Sequence, residues 1–303
     1  MAQHKQKAAV VGLGSMGFGM AQSLLRAGFD VVGCDVSAEA VARFIAVGGR
    51  GAADPAEAAR DADVAVSVVV NATQTEAILF GGRGVAETLP QGAVFISSAT
   101  MDPDVARRLA AKLEASGRFY LDAPISGGAQ RAAEGALTIL ASGSRGAFDG
   151  ARPALDAMAA KLYELGDAAG QGAAFKMINQ LLAGVHIAAA SEAMSFAARQ
   201  GLDLRKVYEV ITASAGNSWM FENRMPHVLD ADYAARSAVD IFVKDLGIVQ
   251  DMARARKYPA PLAAAALQMF LMASAMGMGG DDDSSVARVY ARTGGAKLPG
   301  DKA

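Results

Sequence analysis

One lysine in a long apolar stretch is the first candidate for chemistry in this sequence. Lys176 is the only formally charged residue between Ala173 and Ser191, and no acidic residue lies one helical turn before or after it. Burial among apolar side chains lowers the pKa of an amine, which makes its neutral form available as a base near neutral pH. Lys176 is therefore a candidate general acid or base. The alternative is a side chain that reaches solvent from near the start of its helix.

A glycine-rich loop near the start of the sequence carries a pattern that binds phosphate. Gly12-Leu13-Gly14-Ser15-Met16-Gly17 follows a short apolar run and opens a helical pattern. In G-x-G-x-x-G the first glycine permits a tight turn, the second lets the backbone approach a pyrophosphate, and the third lets the helix pack on the strand. The helix N-terminus adds free N–H groups and a positive dipole. The loop therefore predicts a dinucleotide cofactor, and a glycine turn without a cofactor is the alternative.

An acidic residue at the end of the next apolar strand bears on which dinucleotide binds. Asp35 directly follows the apolar run that ends at Cys34, and no arginine occupies position 36 or 37. An acid at this place accepts hydrogen bonds from the adenosine ribose hydroxyls and repels the 2′-phosphate of NADP. The predicted cofactor is therefore NAD. We interpret Cys34 as a core residue and not as a nucleophile.

Two polar residues follow later strands of the same half. Asn71 and Thr100 come after apolar runs that predict strands at 64–70 and 94–97. Ligands bind outside the carboxyl ends of the strands in a parallel sheet, so both residues are expected to meet the cofactor. A turn or helix-cap role is the alternative for each.

A serine and two glycines follow the strand expected at 119–121. Ser126, Gly127 and Gly128 leave backbone N–H groups unshielded, so a ligand can approach them closely. Such a backbone nest suits an anion, for example a substrate carboxylate. An ordinary surface loop is the alternative.

The first half of the chain supplies the strands and helices that position these groups. Short apolar strands alternate with helical stretches, which predicts a doubly wound parallel sheet of the α/β class. We expect strands at 7–13, 30–34, near 51, and at 64–70, 94–97, 119–121, 138–141 and 162–165. Helices are expected up to 27, at 38–47, from 55, at 103–116 and at 147–159.

Nearly every stretch after residue 170 is helical in pattern. The helices are expected at 173–200, 203–214, 219–230, 238–256, 260–277 and 284–292. The first of them has almost no polar face, so we expect it to be buried on several sides. The sequence thus predicts an NAD-binding Rossmann domain over residues 1–166. An all-α domain for substrate binding and oligomerisation is expected over residues 167–303.

Composition limits the class of protein. The chain has 303 residues, of which 52% are apolar and 20% charged, which fits a globular protein of two domains. The net charge of −2 provides no basic field for nucleic acid. A single cysteine permits no internal disulfide and favours the cytoplasm. The N-terminal MAQHKQK is polar and is not typical of a secretory signal.

Two apolar stretches and two polar groups have simpler interpretations than membrane spans and metal sites. The stretches at 173–200 and 261–280 contain polar residues and are interpreted as core helices. The acidic run at 281–283 precedes a helix, where acids cap the N-terminus and complement its dipole. The three histidines have no metal-ligand spacing, and they are His4, His186 and His227. We therefore expect neither a membrane span nor a metal ion.

Four motifs occur in an order typical of one enzyme family. They are GLGSMG at 12–17, DAPISGG at 122–128, the run from Gly172 through Lys176 to Asn179, and Lys244-Asp245-Leu246. With them the sequence resembles the β-hydroxyacid dehydrogenase family, which includes 3-hydroxyisobutyrate dehydrogenases and tartronate semialdehyde reductases. The resemblance extends from about residue 7 to residue 298. It implies NAD-dependent oxidation of a small hydroxy acid by a homo-oligomer, a dimer or a tetramer.

The resemblance also implies roles for individual residues. Lys176 is expected to be the catalytic lysine, and Asn179 is expected to hold the substrate from the same helix face. Residues 126–128 would bind the substrate carboxylate. Lys244 would reach the nicotinamide end of the cofactor or the substrate anion, so it is both a cofactor-binding and a substrate-binding candidate. A surface ion pair with Asp240 is the alternative for Lys244.

Three longer segments resemble one branch of the family, the L-threonate dehydrogenases. They are NQLLAGVHIAAA from 179, SAGNSWMFENR from 214 and PLAAAALQ from 261. The resemblance implies oxidation of L-threonate to 2-dehydro-L-erythronate, and the polar side chains at 217–223 are expected to hydrogen-bond the hydroxylated tail. The alternatives are a tartronate semialdehyde reductase and a 3-hydroxyisobutyrate dehydrogenase. A dinucleotide-binding protein without dehydrogenase activity would be expected to replace Lys176.

Overall fold

The computed structural model describes residues 5–301, so His4 lies outside the described residues. The chain forms two compact units that divide between Lys176 and Met177. The boundary expected between residues 166 and 167 falls ten residues before this division. It lies between the last strand of the first unit and a long helix that crosses the division.

The first unit is built on a six-stranded parallel sheet. Its strands are β1 (Lys7–Val11), β2 (Asp30–Cys34), β3 (Arg50–Gly51), β4 (Val64–Ser67), β5 (Val94–Ser97) and β6 (Phe119–Asp122). Their order across the sheet is β3-β2-β1-β4-β5-β6, so the direction of winding reverses between β1 and β4. Ligands bind at this switch point in doubly wound sheets. The prediction of such a sheet is confirmed.

The carboxyl ends of the central strands are in register. Val11 lies opposite both Cys34 and Ser67, and Ser97 lies opposite both Ser67 and Asp122. The residues that follow these positions therefore leave the sheet at a common edge. This edge is the one at which open α/β sheets bind ligands.

Helices cover both faces of this sheet. Ala8 and Val10 belong to one buried apolar cluster, and Ala9 and Val11 belong to a second, because successive side chains of a strand point to opposite faces. The helices are α1 (Ser15–Arg26), α2 (Ala38–Ala46), α3 (Pro55–Ala59), α4 (Ala72–Phe80), α5 (Val85–Thr88), α6 (Pro103–Glu114), α7 (Gly128–Glu134) and α8 (Arg145–Met158).

A three-stranded sheet completes the first unit. Its strands are β7 (Ile125–Ser126), β8 (Leu137–Ala141) and β9 (Ala159–Glu164). Strand β8 pairs antiparallel with β7 and parallel with β9. The elements α4, α5, α7 and β7 were not anticipated; in α4, the polar run at 73–76 conceals any apolar periodicity. The strands expected at 7–13 and 64–70 end earlier, at Val11 and Ser67.

The second unit is helical, as expected. The long helix α9 (Gln171–Arg199) crosses the division, and it is followed by α10 (Leu204–Thr212), α11 (Trp219–Leu229), α12 (Val239–Ala255), α13 (Pro261–Ala273) and α14 (Val286–Gly294). The helix expected at 260–277 continues past α13 only as a π-helical turn, Ser274–Met278, in which Gly277 has φ +84°. A 3-10 turn, Asp283–Ser285, precedes α14.

One face of α9 is exposed, so the expectation that this helix is buried on several sides is wrong. Ile178 is 61% exposed and Phe196 is 65% exposed, and Leu182 lies on the same face. Met177, Ile187 and Met194 are buried with other residues. Both α9 and the stretch Pro261–Met278 are long and apolar enough to cross a membrane by length and composition alone. Because core helices of soluble proteins meet the same criteria, this is weak evidence for a membrane span.

Candidate functional site

The glycine-rich loop between β1 and α1 has the backbone that the motif requires. Gly12 has φ +97°, and a Cβ there would lie 2.4 Å from the carbonyl oxygen of Val68. A Cβ at Gly17 would lie 1.8 Å from the carbonyl oxygen of Gly12. Both positions therefore exclude any larger residue, and the strand ends at Val11 because the chain turns at Gly12.

The N-terminus of α1 fits a dinucleotide. Gly14 is its N-cap, no side chain caps the helix, and its first turn contains no acidic residue. Apart from its two chain neighbours, no residue in the described part of the chain has an atom within 4 Å of a Cβ built at Gly14. Ser15 and Met16 begin the helix, so their N–H groups belong to its unsatisfied first turn. Free donors, a positive helix end and open space together match the needs of a pyrophosphate.

Asp35 is tied to this loop through the backbone. Its carboxylate accepts hydrogen bonds from the N–H groups of Leu13 at 2.6 Å and Ser37 at 2.7 Å. A carboxylate has about four lone-pair sites, so it can accept ribose hydroxyls as well. The side chain of Leu13 is fully buried. Leu13 therefore holds the loop in two ways, through the packing of its side chain and through its N–H group.

Asn71 and Thr100 both follow strands of the main sheet. Asn71 is the N-cap of α4, and its Oδ1 accepts a hydrogen bond from the N–H of Gln74 at 2.9 Å. This cap is the alternative role considered above, and it uses only the oxygen of the amide. Thr100 lies between the buried residues Ala99 and Met101, three residues after β5. Cofactor contact remains a prediction for both residues.

Residues 126–128 combine a strand end with two unusual backbone conformations. Ser126 pairs with Thr138 of β8, while Gly127 and Gly128 have φ values of +140° and +78°. Beyond its chain neighbours and the nearby backbone of α7, no atom of residues 5–301 lies within 4 Å of a Cβ built at Gly128. Successive residues of this kind leave N–H groups available to an anion. Binding of the substrate carboxylate here remains a prediction.

Asp122 anchors the helix that carries Lys176, a role that the sequence analysis missed. Its Oδ2 accepts hydrogen bonds from the N–H groups of Gly170 at 2.9 Å and Ala173 at 2.8 Å. Beside it, Ser142 Oγ accepts from the N–H of Gly172 at 2.9 Å. The sequence contained one signal for this role, because Asp122 ends an apolar strand and precedes a glycine-containing loop.

Burial raises the pKa of the Asp122 carboxyl. Desolvation raises its pKa from 3.8 to about 6, and the hydrogen bonds from Ala173 and Gly170 oppose that rise without cancelling it. The backbone donors at the start of α9 thus hold a carboxylate that burial disfavours. Asp122 thereby fixes the first turns of α9, and Lys176 follows on this helix.

Lys176 is 8% exposed and lies in the second turn of α9. Its neighbours in sequence, Phe175 and Met177, are exposed and buried respectively. The expectation of a buried lysine is therefore confirmed, and the alternative of a side chain in open solvent is not. Its role as acid or base remains a prediction.

Four polar side chains of the second unit form one connected group. Asn179 Nδ2 donates to Gln180 Oε1 at 2.9 Å, and Gln180 Nε2 donates to Asp245 Oδ2 at 2.5 Å. The other oxygen of Asp245 lies 2.6 Å from Lys244 Nζ. The structure thus brings together Asn179 and Lys244, which the sequence analysis had predicted separately. In the sequence, Gln180 and Asp245 have no signal of their own beyond standing next to Asn179 and Lys244.

The polar segment at 217–223 forms hydrogen bonds within itself. Ser218 caps α11 by accepting from the N–H of Phe221 at 3.1 Å, and Asn217 Nδ2 donates to Glu222 Oε1 at 2.5 Å. Asn223 Oδ1 accepts from Arg224. These groups are polar and in part exposed, so they retain capacity for a hydroxylated ligand. Their contact with substrate remains a prediction.

Two other polar features have structural roles. Asp282 caps the 3-10 turn by accepting from the N–H of Ser284 at 3.2 Å, while Asp283 pairs with Arg224 at 2.6 Å inside the second unit. Within residues 5–301, no three His, Cys, Asp or Glu side chains are grouped as metal ligands.

Cys34 is buried, as expected, and desolvation together with Asp54 and Asp35 raises its pKa to about 11.

Two family models match the chain in succession. The model described as the NAD binding domain of 6-phosphogluconate dehydrogenase matches residues 7–166. The model described as the NAD-binding of NADP-dependent 3-hydroxyisobutyrate dehydrogenase matches residues 170–290. Together they match residues 7–290 except 167–169, which is most of both compact units.

Known proteins match over nearly the whole length. An L-threonate dehydrogenase of Cupriavidus necator is 55% identical, over 96% of this chain and 97% of its own. The L-threonate dehydrogenase of Haemophilus influenzae is 46% identical over 99% of both chains. A crystal structure of a 3-hydroxyisobutyrate dehydrogenase from Salmonella typhimurium is 50% identical, covers 94% of this chain and 100% of its own, and has a TM-score of 0.90.

Proposed function

The chain belongs to the β-hydroxyacid dehydrogenase family, and from this premise we propose that it oxidises L-threonate to 2-dehydro-L-erythronate. It is an NAD-dependent dehydrogenase that acts on the CH–OH group of a small hydroxy acid. The main support for this substrate is the 46–55% identity to L-threonate dehydrogenases over nearly the full length. The polar segment at 217–223 supports it, because its amide, hydroxyl and carboxylate side chains have donor and acceptor sites beyond those used in their own hydrogen bonds.

The cofactor is held by the loop and acid of the first unit. Gly12, Gly14 and Gly17 would keep the backbone clear for the cofactor, the N-terminus of α1 would bind the pyrophosphate, and Asp35 would accept hydrogen bonds from the ribose hydroxyls. Asn71, Thr100 and Lys244 are proposed as further cofactor contacts. Asp35 also repels a 2′-phosphate, so we propose a preference for NAD over NADP. When bound, NAD supplies the acceptor for the hydride that leaves the substrate carbon.

The proposed substrate-binding residues accept the hydroxyl proton and orient the hydroxy acid. Oxidation breaks the C–H and O–H bonds at one carbon, and Lys176 Nζ takes the hydroxyl proton. Residues 126–128 bind the carboxylate through backbone N–H groups, and Lys244 adds a positive charge for the same anion. Asn179 hydrogen-bonds the substrate and limits its orientation, which lowers the entropic part of the barrier.

The purified protein with NAD and a panel of hydroxy acids tests this function. L-threonate is expected to support NAD reduction and to yield 2-dehydro-L-erythronate, identified by mass spectrometry. A panel in which 3-hydroxyisobutyrate alone supports NAD reduction would favour the name carried by the Salmonella structure. No reduction with any acid would overturn the proposed dehydrogenase activity on this class of substrate.

We further propose that the protein works as a homo-oligomer, a dimer or a tetramer, in the cytoplasm. The exposed apolar face of α9, with Ile178, Leu182 and Phe196, supports the assembly. Contiguous apolar patches on a protein surface often mark sites where another protein binds. The lone cysteine, Cys34, supports a reducing compartment. Light scattering after size-exclusion chromatography gives the mass, and Phe196→Glu is expected to shift it towards the monomer.

A further inference from the structure

We propose that Asp245 and Gln180 hold the Asn179 amide with its oxygen free for a ligand, so that the site selects acids with a second hydroxyl next to the one oxidised. This inference rests on the proposed function, since it concerns how the same site chooses its hydroxy acid. Asp245 and Gln180 act as positioning residues, and Asn179 is the residue that meets the substrate.

The observation is a directed chain of side-chain hydrogen bonds in the second unit, called here the amide chain. It runs from Asn179 Nδ2 to Gln180 Oε1 at 2.9 Å and from Gln180 Nε2 to Asp245 Oδ2 at 2.5 Å. Asp245 is 1% exposed and Gln180 is 7% exposed, whereas Asn179 is exposed. The amide chain therefore begins in the interior of the unit and ends at its surface.

The buried end determines the direction of both amides. Asp245 also pairs with the ammonium of Lys244 at 2.6 Å, so it meets Gln180 as a hydrogen-bond acceptor. Gln180 must then turn its NH2 group to Asp245 and its oxygen to Asn179. Asn179 must in turn direct its NH2 group at Gln180. Because an asparagine amide has one NH2 group and one oxygen, Oδ1 is the end that remains for a ligand.

An oxygen in this place accepts hydrogen bonds from hydroxyl groups. The proton of the reacting hydroxyl goes to Lys176 in the proposed mechanism, so Asn179 Oδ1 accepts from a different hydroxyl. The carbon oxidised in L-threonate is C2, whose neighbours are the carboxylate carbon and C3. The C3 hydroxyl is therefore the donor that Asn179 recognises. A monohydroxy acid has no such donor and leaves the amide oxygen unpaired, which costs binding.

A comparison of two substrates and two variants tests the amide chain. In the wild type, kcat/KM for L-threonate is expected to exceed that for 2,4-dihydroxybutanoate of the same C2 configuration by about 10- to 100-fold. Gln180→Met removes the link while keeping the volume of the side chain, and it is expected to reduce this ratio to within about threefold. Asp245→Asn, which no longer dictates the direction of Gln180, is expected to reduce the ratio as well.

Gln250→Met is the matched control. Gln250 lies on α12 of the same unit, and its side chain donates to the carbonyl oxygen of Ala260 at 3.2 Å, outside the amide chain. This variant loses one hydrogen bond of a glutamine and is expected to keep the wild-type ratio. If Gln180→Met slows both substrates equally, or leaves the ratio unchanged, Gln180 has only a structural role and the proposal is overturned.

Two further results separate this proposal from the proposed function. If the wild type oxidises D-glycerate to tartronate semialdehyde and does not oxidise L-threonate, the proposed substrate fails. The amide chain is then tested by the same ratio with D-glycerate and 3-hydroxypropanoate, which keeps the C3 hydroxyl that is oxidised and lacks the hydroxyl next to it. The side-chain NH2 protons of Gln180, followed by NMR, are expected to exchange slowly in the wild type and faster in Asp245→Asn, whether or not any acid is oxidised. Fast exchange in the wild type would contradict the amide chain directly.

Discussion

The two compact units build their candidate site residues by different means. In the sheet unit the backbone forms the predicted cofactor site: Gly12 and Gly17 have no room for a Cβ, and the Asp35 carboxylate is bound by backbone N–H groups. In the helical unit side chains form the connected polar group, since Gln180 and Asp245 meet across 65 residues of sequence. A backbone site depends on short-range sequence, whereas a side-chain site depends on how helices pack. The two kinds of site should therefore respond differently to substitution.

Removal of the lysine should give the largest effect, because it takes away chemistry and leaves the backbone in place. Lys176→Ala is expected to lower kcat by about 10²–10⁴ and to leave NAD affinity almost unchanged. Steady-state kinetics and an NAD titration by fluorescence measure the two quantities. Lys206→Ala, at an exposed pair with Glu209, is the control and should match the wild type. A Lys176→Ala variant that keeps a third of the wild-type kcat would remove this lysine from the mechanism.

A methyl group in the glycine loop tests the backbone half of the comparison. The methyl group of Gly14→Ala would meet no described residue within 4 Å other than its chain neighbours, so the free energy of unfolding should change by less than about 1 kcal/mol. The same methyl group occupies space for the pyrophosphate, and NAD affinity is expected to fall about 10- to 100-fold. Calorimetry measures both quantities. Undiminished NAD binding would show that the loop does not hold the phosphates.

Gly247→Ala is the matched control for this substitution. Gly247 lies inside α12, and among the described residues a Cβ built there has no atom within 4 Å beyond its chain neighbours and the nearby backbone of the helix. Alanine in a helix interior should stabilise the protein by about 0.5–1 kcal/mol and leave NAD affinity unchanged. A loss of NAD affinity in both variants would point to a general effect of the substitution.

The sheet unit was largely predictable, for a local reason. The glycine loop, Asp35 and the order of strands and helices follow from short stretches in which each residue type has one plausible backbone role. The positions of Asn71 and Thr100 followed from the same pattern. Helix α4 was missed because the polar residues at 73–76 hide its apolar face, although the Asn71 cap at its start was visible in the sequence.

The charge at Asp35 should discriminate between cofactors. The wild type is expected to prefer NAD over NADP by at least about tenfold in kcat/KM, because the carboxylate would face the 2′-phosphate. Asp35→Asn keeps an acceptor for the N–H of Leu13 and removes the negative charge. The ratio of kcat/KM with NAD to kcat/KM with NADP should therefore decrease. Initial rates at varied concentrations of each cofactor measure it. Equal use of both cofactors by the wild type would contradict this role of Asp35.

The buried Asp122 should make stability depend on pH. Because burial raises its folded pKa to about 6, the carboxylate destabilises the folded state progressively as pH rises from about 4, and the effect is complete above about 6. Asp122→Asn does not titrate, so its free energy of unfolding relative to wild type should rise by about 1.4 kcal/mol from pH 5 to pH 8. Urea denaturation measures this difference. A difference that stays constant with pH would contradict the raised pKa.

The helical unit was less predictable where side chains meet over long distances. The helices themselves followed from composition and spacing, and the motifs identified Asn179 and Lys244. Their connection through Gln180 and Asp245 depends on the packing of α9 against α12, which no local pattern reports. The anchor at Asp122 was missed for the same reason, since its partners Gly170 and Ala173 lie about 50 residues further along the chain. The exposed face of α9 was mistaken for core because its side chains are apolar on both faces.

The most direct test of the central claim is the ratio of kcat/KM for L-threonate and D-glycerate, measured with NAD on the purified wild-type protein. An NAD-dependent enzyme whose helical unit recognises a hydroxylated tail should oxidise L-threonate with the higher kcat/KM. A higher value for D-glycerate, together with rapid reduction of tartronate semialdehyde in the reverse direction, would contradict the proposed function and identify a tartronate semialdehyde reductase.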